Sequence, residues 1–303
     1  MVDLTVDVGG LKLRNPVMLA AGILGMSHET LRRVYESGAG AVVTKSIGLE
    51  PRMGFSNPTV VGVDCGLINA MGLPNPGAKE FRGEIEKLKR EGVCVIASVY
   101  GFTTEEYVEV AKILSEAGAD AIELNCSCPH VSKVGLIGQN PELVREVTEA
   151  VKDAVNVPVY VKLTPNVTDI ASVAKAAEEA GADAVTAINT VKALAIDIEL
   201  QRPILSATFG GLSGPAIKPI ALRAVYEIYK AVEIPVIGVG GIKNWRDAIE
   251  FHLAGATATQ IGTAIYLKGT RVFKEITEGI KRYLKRKGYK SIKEIIGKAN
   301  KNY

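Results

Sequence analysis

Apolar residues in this chain fall into short unbroken blocks, and four of those blocks follow the same phrase. It reads "ESGAGAVV" from Glu36, "EAGADAIE" from Glu116, "EAGADAVT" from Glu179 and "LAGATATQ" from Leu253. Each copy is a helix-type pattern running into a glycine suited to a left-handed C-cap, then at once into small and β-branched residues. That sequence of events predicts a helix handing over to a buried strand. Four further runs have the same apolar character: Pro16–Gly22, Gly92–Gly101, Val157–Leu163 and Ile234–Gly241. Helical periodicity lies between them, as at Thr104–Ala117, Pro141–Ala154 with Asn140 as N-cap, and Asp169–Ala180. Eight such strands alternating with helices predict a parallel sheet covered on both faces. In a chain of 303 residues this suits an α/β fold of one domain over residues 1–303, a (β/α)8 or TIM barrel. A doubly wound open sheet is the alternative.

Outside the repeating units, "LTVDVGGLKLRN" (Leu4–Asn15) alternates with period two around Gly9-Gly10 and predicts a hairpin capping the N-terminal end of the barrel. Two connections are longer than ordinary βα loops, Ser46 to Gly77 and Thr190 to Pro215. Insertions of that length at the C-terminal ends of strands are where barrel enzymes hold substrates and partners.

Composition narrows the picture modestly. Hydrophobic residues make up 47% and charged residues 23%, which excludes a largely disordered chain. A net charge of +3 gives no general case for nucleic acid, and the basic tail from Lys281 to Lys301 reads as a solvated helical face. The N-terminal stretch carries acids early and lacks an apolar h-region, and no run approaches 18 apolar residues, so the expectation is a cytoplasmic protein without membrane insertion. Four cysteines, Cys65, Cys94, Cys126 and Cys128, are too few for a disulfide scaffold in a chain this long.

If the barrel is right, the residues ending each strand share one face. In order they are Ala20-Ala21-Gly22, Lys45-Ser46, Ser98, Asn125, Lys162, Asn189-Thr190, Gly240-Gly241 and Gly262-Thr263. "GVGGIKN" after the seventh strand and "QIGTAIY" after the eighth are glycine-bearing turns opening helices, where backbone N–H groups can cradle a phosphate. Either alone could mark only a tight turn; together they point to a phosphate-bearing cofactor or substrate. Lys45 and Lys162 end buried strands, where an ammonium needs compensation. They either snorkel to the mouth or hold anionic groups, such as a substrate carboxylate or the electron-rich edge of a reduced cofactor. "INAMGLPNPG" (Ile68–Gly77) sets Asn69 beside the backbone N–H groups of Met71, Gly72 and Leu73, a loop able to meet a planar amide-rich substrate, or simply a turn cluster.

In "AIELNCSCPHV" (Ala121–Val131) the CxC spacing lacks the usual metal knuckle, and a disulfide between such close cysteines would be strained. Cys126 reads as packed sulfur. Cys128 precedes Pro129 and opens a glycine-containing loop, where a thiol can act as nucleophile or base.

At these residues the chain resembles the dihydroorotate dehydrogenases, and more closely their class 1 members. The resemblance runs through "PVMLAAG", "TKSIGLEPR", "NAMGLPNPG", "ELNCSCPH", "VKLTPN", "INT", "GGLSGPAIKP", "GVGGI" and "IGTA", in order along nearly the whole chain. It implies a (β/α)8 barrel that binds FMN and oxidises (S)-dihydroorotate to orotate in pyrimidine biosynthesis. By position it makes Cys128 the base that takes a proton from C5 while hydride leaves C6. It implies substrate contacts at Lys45, at Asn69, Ala70, Met71, Gly72 and Leu73, and at Asn125, Asn189 and Thr190. For FMN it implies Ala21, Lys45, Ser46, Ser98, Asn125 and Lys162, with Ile188, Gly214, Gly240, Gly241, Gly262 and Thr263. No metal is implied. "GGLSGPAIKP" is similar to the NAD-linked class 1B catalytic subunits, which implies a homodimer core joined in a heterotetramer by electron-transfer subunits carrying FAD and a 2Fe–2S cluster. Two positions depart from the family pattern: His130 and Ser98 stand where asparagine is common. The rival readings are a related FMN barrel acting on uracil-type or other unsaturated rings, and a non-catalytic scaffold whose long loops serve a partner; the polar ring of strand ends argues against the scaffold.

Overall fold

The computed structural model describes residues 2–126 and 137–301. A short antiparallel hairpin, β1 (Val6–Val8) and β2 (Leu11–Leu13), comes first, turning at Gly9-Gly10. The eight apolar blocks then become β3 (Val17–Leu19), β4 (Ala41–Val43), β7 (Val95–Val99), β8 (Ala121–Asn125), β9 (Val159–Leu163), β10 (Ala184–Ala187), β15 (Val236–Val239) and β16 (Ala256–Ile261). They pair in parallel as a closed barrel in which chain order is spatial order, β16 joining β3. The open-sheet alternative is thereby set aside.

Helices α1 (His28–Glu36), α2 (Ala78–Arg90), α3 (Thr104–Glu116), α4 (Pro141–Ala154), α5 (Ile170–Glu179), α6 (Lys218–Tyr229), α7 (Trp245–Ala254), α8 (Ala264–Lys268) and α9 (Val272–Lys287) follow the strands. Several begin on a side-chain cap. Ser27, Thr103, Asn140 and Asp169 each accept a backbone N–H of the first turn, and Asn244 forms a capping box with Asp247. The strands bury aliphatic side chains against both the helices and the barrel interior, and Leu, Val, Ile and Ala dominate that core. Helix α9 places Val272, Phe273, Ile276, Ile280 and Leu284 in the core, which leaves its lysines and arginines on the solvated face read from the sequence.

The N-terminal hairpin closes the barrel's lower end. The buried Tyr160 hydroxyl donates to the Val8 carbonyl at 2.7 Å, and a side chain at Gly9 would lie 2.2 Å from the Asp183 carbonyl oxygen.

The two long connections are not independent loops. The first contributes β5 (Val60–Val63) and β6 (Gly66–Asn69); the second contributes β11 (Val191–Ala193) and β14 (Gly210–Ser213), with a small hairpin of β12 (Ile196–Asp197) and β13 (Arg202–Pro203) between them. β6 pairs antiparallel with β14, Ile68 opposite Leu212, making one four-stranded sheet in the order β11-β14-β6-β5. This sheet stands over the strand ends. The approach is close at Gly211, where a Cβ would lie 2.0 Å from the hydroxyl of Thr190, the residue that leads into β11.

Candidate active site

The strand ends, the paired insertions and the loops after β15 and β16 enclose a cavity of about 420 Å³, a size that suits a small-molecule or cofactor site. Most residues expected from the sequence line it. Lys45, Asn69, Met71, Gly72, Leu73, Asn125, Asn189 and Thr190 are there. So are Ala21, Ser46, Lys162, Ile188, Gly214, Gly240, Gly241, Gly262 and Thr263. Two expected contacts are not. Ser98 lies fully buried behind Ser46, its hydroxyl 2.9 Å from that of Ser46, so it steadies a lining residue from outside the cavity. Ala70 turns into a small apolar cluster with Ile68 and Leu205. Cys128 and His130 lie outside the described residues.

Period two along the strands puts alternate side chains into the barrel, so the polar ends form layers. The upper layer is a chain of hydrogen bonds. Asn125 Nδ2 donates to Ser46 Oγ at 2.9 Å, and Asn189 Nδ2 donates to Asn125 Oδ1 at 3.2 Å. The main chain of Asn125 is fixed from the other side, where the buried Tyr107 hydroxyl donates to its carbonyl at 3.0 Å. Tying the amides this way fixes which atoms face the cavity and presents a preset edge to a planar amide partner.

Beneath that layer, Lys162 enters from β9. Its ammonium lies 3.3 Å from Glu123 Oε1 and 3.5 Å from Gln260 Oε1. Glu123 Oε2 accepts from Gln260 Nε2 at 2.6 Å and from the Thr186 hydroxyl at 3.1 Å. Neither Glu123 nor Gln260 was expected, although Gln260 lines the cavity. Glu123 could have been found: it stands two residues before Asn125 in an apolar run, hence on the same inward face.

The loop Asn69–Leu73 is held from below by Asn75, a residue the sequence reading passed over. Its Nδ2 donates to the Leu73 carbonyl and to the Tyr100 hydroxyl, both at 2.9 Å, while Oδ1 accepts from the N–H groups of Gly48 and Gly77 at 3.2 and 2.9 Å. This network fully satisfies a buried amide, so the loop above it keeps one shape. On the opposite side, Asn166 in the loop after β9 ties down the start of the second insertion, donating to the Thr190 carbonyl at 3.2 Å and accepting from Lys192 N–H at 2.9 Å.

The end of the cavity near β15 and β16 has the character of an anion cradle. Gly214, Gly240, Gly241, Gly262 and Thr263 converge there, the Thr263 hydroxyl donating to Ser213 Oγ at 2.8 Å, and Lys243 joins the lining. Gly241 has φ of +74°, and a Cβ on it would stand 2.8 Å from Lys218 N. Only glycine fits that turn.

The donor set suits the flavin mononucleotide that the resemblance implies. Glycine turns at one end can take a phosphate, and the buried ammonium of Lys162 and the tied amides can take the polar edge of an isoalloxazine ring. Open space agrees: Gly22 lines the cavity with no atom within 4 Å of where its Cβ would be, so any side chain there would fill the room a ring needs.

Of the thiols, Cys126 is fully buried, and burial pushes it up to about 12, so it is not ionised near neutral pH. Cys94 is likewise pushed to about 12, chiefly by burial and further by Asp120. Both behave as packed sulfur.

Comparison with known proteins agrees with this site. The family model for dihydroorotate dehydrogenase matches residues 3–284. The catalytic subunit of dihydroorotate dehydrogenase B (NAD(+)) from Pyrococcus abyssi is 59% identical over 299 residues, covering 98% of this chain and 99% of the relative. Its counterpart from Pyrococcus furiosus is 57% identical over 301 residues, covering 99% of this chain and all of the relative. The one from Methanothermobacter thermautotrophicus is 52% identical over 300 residues, covering 98% of each chain. With the match spanning the barrel, both insertions and the cavity between them, this chain belongs to the dihydroorotate dehydrogenase family.

Proposed function

We propose that this protein, as one domain over residues 1–303, is the catalytic subunit of an NAD-linked dihydroorotate dehydrogenase. It oxidises (S)-dihydroorotate to orotate for pyrimidine biosynthesis. The observation that carries this reading is the convergence of the strand-end lysines, asparagines and glycines on one cavity of about 420 Å³. FMN, when bound, supplies the two-electron acceptor for the hydride that leaves C6 of the substrate.

The chain's own residues do the rest. The lysine at the end of β4, Lys45, meets the substrate carboxylate by charge. Asn69, Asn125 and Asn189 pair with the ring's amide edges. Asn125 and Asn189 are preset by their mutual hydrogen bond, so little ordering remains on binding. Cys128 accepts the C5 proton as a general base. The N–H groups around Gly214, Gly240, Gly241 and Gly262 hold the cofactor phosphate, and Lys162 holds its electron-rich edge. The insertion sheet excludes water above the reacting atoms.

NAD is reduced on a separate electron-transfer subunit carrying FAD and a 2Fe–2S cluster. The words "catalytic subunit" in the relatives' names support a partner of some kind. Two copies of this chain form the core of the assembly. An exposed apolar row on and beside the β12–β13 hairpin, Ile196, Ile198 and Leu200, gives such a contact an apolar face. No helix among the described residues is long and apolar enough to cross a membrane; we place the enzyme in the cytoplasm.

The test is anaerobic mixing of the purified protein with dihydroorotate while flavin absorbance is followed, and then addition of NAD. Bleaching without reoxidation by NAD is the expected result for the chain alone. Flavin that stays oxidised would turn the reading toward an FMN barrel with another substrate.

A further inference from the structure

Below the cavity floor the barrel interior holds a charged group that the reaction as outlined does not use. Glu123 has no exposed surface, Thr186 none, Gln260 1% and Lys162 5%. The interior layers of such a barrel are ordinarily filled by branched aliphatic side chains. An ion pair there loses its hydration, and apolar residues of similar volume are often as stable or more so. Stability alone therefore gives weak grounds for a carboxylate at this position.

The geometry gives it a direction. Asn125 is opposite Lys162 in the β8–β9 register, and Lys162 is opposite Thr186 in the β9–β10 register. Glu123 sits one inward step below Asn125. Its two oxygens take three donors from three other strands: Lys162 from β9 on one, Thr186 from β10 and Gln260 from β16 on the other. All three donors point at an acceptor-only group, as an ionised carboxylate requires. Of the four residues, only Lys162 and Gln260 reach the cavity lining.

We propose that Glu123, held by Thr186 and Gln260, is a positioning residue that keeps the Lys162 ammonium charged and fixed at the cavity floor, where it tunes the electron affinity of the bound flavin. The inference rests on the flavin-binding reading above and deepens it. Glu123 does not line the cavity; it acts through Lys162. Without the carboxylate, the buried ammonium is left beside the neutral amide of Gln260, a state that favours loss of its proton. Reduction of the cofactor then brings back a negative charge above Lys162 and with it the missing proton. The reduction becomes coupled to one more proton than in the wild type, taken up by Lys162 itself.

The experiment compares wild type with Glu123→Gln, an isosteric change. The midpoint potential of the two-electron couple is measured against reference dyes with a chemical reductant from pH 6 to 8.5. The variant's potential should fall more steeply with pH than the wild type's by one proton per two electrons, which is about 30 mV for each tenfold change in proton concentration. Glu123→Asp, which keeps the charge, should restore much of the wild-type slope. In a Lys162→Arg background, which keeps a cation that does not give up its proton, Glu123→Gln should leave the slope unchanged. Equal slopes in wild type and Glu123→Gln would overturn the proposal, as would an effect of Glu123→Gln that persists in the Lys162→Arg background.

A second measurement covers the case in which Glu123→Gln does not accumulate. With 15N-labelled lysine in the wild-type apoprotein, and Lys162→Met to assign the signal, the Lys162 side-chain nitrogen should stay protonated at pH 8.5; a neutral amine there would overturn the proposal. Chemical reduction needs no dihydroorotate, so failure of the substrate assignment would show separately, as wild-type flavin that dithionite bleaches and dihydroorotate does not. A wild type that binds no flavin would overturn both.

Discussion

The same barrel strands carry polar groups at both ends, and the two ends use them differently. At the starts of β7 and β9 one device occurs twice. Asp120 Oδ2 accepts from Val95 N–H at 2.8 Å and pairs with Lys89 at 2.6 Å; Asp183 Oδ2 accepts from Val159 N–H and pairs with Lys152, both at 2.7 Å. Each aspartate comes from the repeated "GAD" phrase and each lysine from the last turns of the helix before the neighbouring strand, α2 or α4. These groups pair with one another and with the strand's main chain. At the strand ends, by contrast, Ser46, Asn125, Asn189, Lys162 and Gln260 are tied from behind and still line a cavity. Polarity that closes on itself supports the fold, whereas polarity held from behind with one side left open marks the site.

If that division is right, the largest effect of a single change belongs to the strand-end side. Cys128→Ser should leave the purified protein yellow while flavin bleaching by dihydroorotate at neutral pH slows at least ~10²-fold, the usual scale for a positioned base. Cys126→Ser, at a buried thiol of the same segment, should change that rate little. Stopped-flow absorbance separates the two, and equal slowing of both would break the distinction.

On the strand-start side, Asp183→Ala removes an ion pair and a main-chain hydrogen bond together. It should cost about 1–3 kcal/mol, and several degrees in Tm, with the bleaching rate of the folded protein unchanged. A slower rate at full flavin occupancy would mean the two ends are coupled.

A pH effect of similar or smaller size comes from the helix shell. His252 is fully buried on α7, and desolvation lowers it to about 4, although its Nδ1 lies 2.7 Å from the Ala256 carbonyl. The folded state holds the imidazole neutral, while the unfolded chain takes the proton near 6.5. Stability from this group is therefore complete above 6.5 and is lost as pH falls from there toward 4, about 2 kcal/mol of it by pH 5. Denaturant unfolding between pH 7.5 and 5 reads this directly, in a window above most carboxylate titrations. A midpoint that does not move would show that His252 is hydrated in solution.

What the sequence revealed follows from the range of the interactions. Strand runs, helix caps and the Gly9-Gly10 hairpin are local signals, and all eight barrel strands lie within the apolar blocks. Most of the cavity lining was legible for the same reason, since a parallel barrel collects its strand ends on one face. The insertion sheet was not, because Gly66–Asn69 and Gly210–Ser213 are short, lack a period-two pattern and meet across some 140 residues of chain. Residues acting one step behind the lining were also missed or misplaced. Asn75 and Glu123 carry no motif of their own, and Ser98 occupies a strand end yet spends its hydroxyl on Ser46. Periodicity says which way a side chain points, but not whether another lies between it and the cavity.

The most direct measurement compares two lysines, each paired with a carboxylate, at opposite ends of the barrel. Flavin content and Tm are read on Lys162→Ala and Lys152→Ala purified side by side. The account predicts that Lys162→Ala loses flavin, while Lys152→Ala keeps it and shows only a lowered Tm. Full flavin occupancy in Lys162→Ala, or flavin loss in Lys152→Ala at a temperature where the protein stays folded, would contradict it.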